Sequence, residues 1–106
     1  MHERGRPRIE VNYPVTLSGE GSEGAGTMTN LTITGGEIAS DLAASIGAHF
    51  RVHIQLSGAR SPIAIAIATV RWQRDHRFGV EFVRFEGNAK AQLEEMLNQT
   101  DVNPAS

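Results

Sequence analysis

Apolar side chains recur at every second position along most of this chain. Ile9, Val11, Tyr13, Val15 and Leu17 alternate with Glu10, Asn12, Pro14 and Thr16. Phe50, Val52, Ile54 and Leu56 alternate with Arg51, His53 and Gln55, and Phe78, Val80 and Phe82 repeat the pattern. Successive side chains of a strand point to opposite faces, so each segment predicts a strand with one buried and one wet face. Pro14 has no N–H for a ladder, which places the first strand near an edge or a bulge. Ile63, Ile65 and Ile67 alternate with Ala64, Ala66 and Ala68 in a strand continuing to Trp72. One of its faces carries only methyl groups and suits close approach by another element.

Shorter strands are expected from about Thr27 to Ile33 and from Glu37 to Ser40, separated by a turn at Thr34-Gly35-Gly36. The glycines among small and acidic residues from Ser18 to Gly26 predict a mobile loop. Asp41 to Ala48, Ser57 to Ser61 and Arg74-Asp75-His76 read as connections. From Asn88 the period changes. Ala89, Leu93, Met96 and Leu97 fall on one side of a helix of about three turns, with Asn88 as its N-cap. Short strands followed by one amphipathic helix predict a mostly β fold, a small antiparallel barrel with the C-terminal helix packed against it. Closure hides the sheet edges. Residues 1–8 carry no apolar stripe and read as a flexible arm, 9–98 as the barrel with its helix, and 99–106 as a frayed tail.

With 106 residues the chain fits one domain. Its formal net charge of −2 argues against binding a long nucleic acid through an overall field. The absence of cysteine rules out a disulfide framework and thiolate chemistry. The charged N-terminus lacks the apolar core of a secretory signal, and the run from Ile63 to Ala68 is too short to span a bilayer. These features predict a cytoplasmic protein that does not insert into membranes. Catalytic chemistry finds no support. His49 and His53 share a strand face, but four residues of strand span roughly 13 Å, too far for one metal ion. The glycine-rich segment lacks the Gly-Lys-[Ser/Thr] of a P-loop. Asp75 and His76 have no serine near them in sequence. The expectation is a protein that is not an enzyme and holds no metal.

Two clusters remain. Arg4 and Arg8 form an Arg-x-x-x-Arg pair, and Asn30, Thr32, Gly35 and Gly36 form Asn-x-Thr-x-x-Gly-Gly. The first offers guanidinium forks. The second offers an amide, a hydroxyl and a backbone free of side chains. Together they suit a small ligand with phosphates and purine edges.

On these residues the chain resembles the PilZ domain, a bacterial receptor for cyclic di-GMP. The resemblance runs from Arg4 to about Leu97. It rests on Arg4-Gly5-Arg6-Pro7-Arg8 and on Asn30-Leu31-Thr32-Ile33-Thr34-Gly35-Gly36. Val70-Arg71-Trp72 and Arg77-Phe78-Gly79-Val80-Glu81-Phe82 also look like the last two strands of that family. The resemblance implies a six-stranded antiparallel β-barrel with a flanking C-terminal helix. It further implies that Arg4 and Arg8 fold over the ligand, each fork reaching a phosphate or guanine O6 and N7. Asn30 would then accept from guanine N1–H and N2–H, so Asn30→Asp is expected to keep or improve binding. Thr32 stands where serine is commoner, and Gly35 is expected to permit a backbone conformation closed to other residues. Trp72 is a candidate for stacking on guanine. Arg71, Arg74 and Arg77 read as a solvated face.

The function so implied is a cyclic di-GMP receptor or adaptor acting on an unidentified effector protein, through ordering of its arginine arm. One rival is a PilZ-like adaptor that works by protein contacts without the nucleotide. Another is a small barrel for single-stranded nucleic acid, which would want interleaved aromatics and a basic groove.

Overall fold

The computed structural model describes residues 9–19, 22–56 and 62–101. Six strands and one helix follow in order: β1 (Ile9–Gly19), β2 (Ser22–Thr32), β3 (Gly35–Ala39), β4 (His49–Ile54), β5 (Ile63–Arg74), β6 (Arg77–Phe85) and α1 (Ala89–Asp101). All pairings are antiparallel, and the ring runs β1-β2-β3-β6-β5-β4 before closing β4 onto β1. The closing pairs run from Val15↔Ile54 to Ser18↔Arg51. The expected closed barrel with a C-terminal helix is therefore the observed architecture.

The alternation explains the core. Val15 and Leu17 of β1, Val52 and Ile54 of β4, and Phe78, Val80 and Phe82 of β6 all point inward and are buried. Phe50 and Phe78 stack across the interior with ring centroids 6.4 Å apart. Helix α1 lies against β5 and β1, the strands flanking β4. Its stripe of Ala89, Leu93 and Leu97 joins the same buried cluster, with Met96 partly buried beside it. The Gln92 N–H donates to the Asn88 carbonyl, so the helix begins where the change of period predicted. No helix among the described residues is long and apolar enough to cross a membrane.

Three local expectations are corrected. The segment expected as a mobile loop is mostly strand: β2 starts at Ser22 and pairs with β1 from Gly19↔Ser22 through Val15↔Gly26. Leu42 packs where a side chain on Gly24 would lie, so this glycine makes room for a neighbour. Weak β propensity yields here to tertiary pairing. Secondly, Gly35 and Gly36 begin β3, and the turn is Ile33-Thr34. Thirdly, the isoleucines of β5 do not keep one phase. Register shifts between Ile65 and Ala68 leave Ile63 and Ile65 inside and Ile67 half-buried, and bring Ala68 and Val70 inward. Such bulges re-aim a strand within a closed barrel. Pro14 also lies beside an irregularity, a register shift between Glu10 and Tyr13.

Candidate functional site

Register sets Asn30 of the second cluster in a row of neighbours across the barrel wall. Glu10 of β1 pairs with Asn30 of β2, Asn30 with Glu37 of β3, Glu37 with Gly79 of β6, and Gly79 with Trp72 of β5. One row of neighbours thus crosses five strands. Asn30 and Trp72, far apart in sequence, belong to this row. The indole of Trp72 sits where a Cβ on Gly79 would be, so the glycine opens the floor on which the ring lies. Trp72 remains 42% exposed. It shares a depression of about 530 Å³ with Glu37, Ala39, Arg74, Asp75, His76 and Arg77.

Polar contacts in this row are directional. Asn30 Nδ2 donates to Glu37 Oε1 at 2.8 Å. Arg77 Nη1 donates to the other oxygen, Glu37 Oε2, at 3.0 Å. A carboxylate only accepts, so the amide end of Asn30 must face Glu37. Next to this group, Arg71 Nε donates to Glu81 Oε1 at 2.6 Å. Arg71 and Arg77 are therefore each matched by a carboxylate. Among the described residues, Arg74 is the arginine of the depression that remains without such a carboxylate.

Thr32 and the glycines build the frame of this face. Thr32 Oγ1 accepts from the N–H groups of Thr34 at 3.1 Å and Gly35 at 3.2 Å. It also lies 3.2 Å from the Gly35 carbonyl, to which it donates. A hydroxyl placed this way closes a tight turn without any residue of positive φ. Neither Gly35 nor Gly36 has a positive φ, so the expected conformational role for Gly35 is replaced by a steric one. The Val80 carbonyl of β6 occupies the place of a Gly35 Cβ, and the Asn30 carbonyl and Met28 sulphur crowd Gly36.

Arg4 and Arg8 lie outside the described residues. Ile9, the residue after Arg8 in sequence, pairs with Leu31, between Asn30 and Thr32. Sequence reading missed Glu37 and assigned Arg77 to a solvated face. A carboxylate after two glycines has no distinguishing pattern, and only the pairings Asn30↔Glu37 and Ala39↔Arg77 bring these three side chains together. Among the described residues no three acidic or histidine side chains are grouped to hold a metal.

This geometry attaches a cost in stability to Asn30→Asp, separate from its expected effect on binding. A second carboxylate would face Glu37 across a contact of 2.8 Å and lose the amide hydrogen bond. The variant is expected to be less stable by about 1 kcal/mol, the scale of one hydrogen bond. Adding Glu37→Gln should recover most of that loss, since the new amide can donate to the new carboxylate. A urea double-mutant cycle over the two positions measures the coupling, and an Asn30→Asp chain as stable as the wild type would refute the contact.

A family model described as the PilZ domain matches residues 2–99. Among solved structures, the Bacillus subtilis inhibitor of motility (MotI/DgrA) superposes with a TM-score of 0.78 at 18% identity. That match covers 100% of this chain and 55% of the other, so this chain spans about half the length of the Bacillus protein. The PilZ domain of CeSA from a cellulose-synthesising bacterium superposes with a TM-score of 0.70 at 12% identity, covering 90% of this chain and 98% of that one. At these identities the superpositions show a shared fold. No protein of curated function matches the chain in sequence.

Proposed function

The chain belongs to the PilZ domain family, and on that premise we propose that it is a cyclic di-GMP receptor that signals to an effector protein. One observation carries this reading above the others. The register Ile9↔Leu31 sets the residue that follows Arg8 between Asn30 and Thr32, the two polar positions of the second cluster. A ligand lying on the Asn30–Glu37–Trp72 row is then within reach of an arm descending from the same edge. Arg4 and Arg8 grip phosphate oxygens or guanine O6 and N7, because their forks match both. The Oδ1 of Asn30 accepts from the opposite guanine edge. Trp72 offers a half-exposed ring for stacking, a contact that contributes roughly 1–3 kcal/mol per base where it has been tested by substitution.

Signalling follows from ordering. Residues 1–8 are held down only when ligand links them to the barrel, and the arm plus ligand forms a face that an effector reads. The chain catalyses nothing in this scheme and acts in the cytoplasm, where the dinucleotide is its input. The fold relatives are an inhibitor of motility and a domain of CeSA. One barrel set in such different contexts supports an output determined by the partner.

Trp72 is the sole tryptophan of the chain, so its fluorescence serves as the titration signal. Cyclic di-GMP is expected to change that emission saturably, at low and high salt alike. A short single-stranded oligonucleotide is expected to have no effect. Oligonucleotide binding that weakens steeply with salt would favour the nucleic-acid reading, and silence toward both ligands would favour an adaptor working by protein contacts alone.

A further inference from the structure

Resting on the receptor reading above, we propose that Glu37 makes Asn30 selective for guanine over adenine. A carboxamide has one accepting and one donating end, and a half-turn about its last bond exchanges them. An asparagine free to turn is therefore a poor judge of purines, and is well known to pair with adenine through both ends. Asn30 is not free to turn. Its Nδ2 donates to Glu37 Oε1 at 2.8 Å, and Glu37 is held in turn by Arg77 on Oε2 at 3.0 Å. The Glu37 side chain is only 16% exposed, so it is confined between its two partners.

The consequence lies at the other end of the amide. Among the described residues no donor meets Asn30 Oδ1. At that point an incoming base always finds a lone pair and never a hydrogen. Guanine offers N1–H and N2–H on its Watson–Crick edge, and both suit a lone pair. Adenine in the same pose turns its N1 lone pair and C2–H to Oδ1, and its one donor, the N6 amino group, lies where guanine has O6. Arg77 balances the charge of Glu37, so the orientation is gained without adding an unpaired anion beside the ligand phosphates. Asn30 thus presents an accepting edge like that of a carboxylate, with its one charge set back by a residue. Glu37 is a positioning residue here and need not touch the ligand.

Glu37→Gln tests this without removing volume. Arg77 can only donate, so it claims the carbonyl of the new glutamine, whose amide then faces Asn30 and turns it around. Full-length chains are titrated calorimetrically with cyclic di-GMP and with cyclic di-AMP, and the ratio of dissociation constants is read. Glu37→Gln is expected to shrink the preference for the guanine dinucleotide by about tenfold, the scale of one exchanged hydrogen bond. The double variant Asn30→Asp/Glu37→Gln is expected to restore it, because a carboxylate at position 30 accepts in either orientation. Equal weakening of both ligands by Glu37→Gln, or an unchanged ratio, would overturn the role of Glu37 while leaving the receptor reading intact. A wild-type chain that binds neither dinucleotide overturns the receptor reading and this inference with it.

Discussion

Arg4→Ala and Arg8→Ala are each expected to weaken cyclic di-GMP binding by about 10- to 150-fold, since a hydrogen bond to a charged group contributes roughly 1.5–3 kcal/mol. The charge on the barrel face is the reason for this expectation. Arg77 is engaged by Glu37 and Arg71 by Glu81, leaving Arg74 as the remaining cation of the depression beside Trp72. A dinucleotide with two phosphates needs more positive charge than that. Melting temperature should stay where it is in both variants, because both positions precede β1. Calorimetry is the direct check, and unaltered affinity in both variants would remove the arm from the site. Relaxation measurements add the mechanism. Order parameters of residues 1–8 should rise on adding ligand to the wild type and stay low in either variant at saturation. Fixing each residue costs about 1–2 kcal/mol of backbone entropy, which two engaged arginines can largely offset and one cannot. An arm equally rigid with and without ligand would transfer signalling to the ligand's own surface.

Gly35→Ala should produce the largest loss of stability among the motif positions. Gly35 pairs with Glu81, and the carbonyl of Val80 fills the space a Cβ needs. That atom belongs to the backbone of β6, so it can move only if the β3–β6 seam opens. The Phe82 N–H donates to the Thr34 carbonyl at 2.8 Å beside the same seam and would be strained with it. Overpacking of this kind costs about 1–3 kcal/mol, equivalent to a fall in melting temperature on the order of 5–20 °C for a domain of this size. Thermal unfolding followed by circular dichroism is sufficient to see it. A melting temperature within a degree of wild type would mean that the seam has slack, and that the glycine serves the ligand alone. The contrast with the arginine variants separates the two clusters: one acts on binding with the fold untouched, the other acts on the fold that presents the site.

The barrel was legible because its cause is local. A strand half in oil and half in water needs alternating side chains, and Ile9 to Leu17, Phe50 to Leu56 and Phe78 to Phe82 declare this within their own residues. The same holds for the helix, whose stripe of Ala89, Leu93 and Leu97 is buried as its spacing requires. The candidate ligand positions Arg4, Arg8, Asn30, Thr32, Gly35, Gly36 and Trp72 were legible as residue types matching a chemistry, not as a place.

Tertiary structure decided what depends on the register of distant strands. The glycines between Ser18 and Gly26 have the composition of a loop, and pairing with β1 makes most of that segment strand. Gly35 looks like a turn residue until β6 is laid against it. Glu37 has no local signature at all. It gains meaning because β2 brings Asn30 to one of its oxygens and β6 brings Arg77 to the other. Periodicity records which face of a strand is buried. It carries no information about which residue of another strand will stand opposite, because that is set by closure of the whole ring and by its bulges.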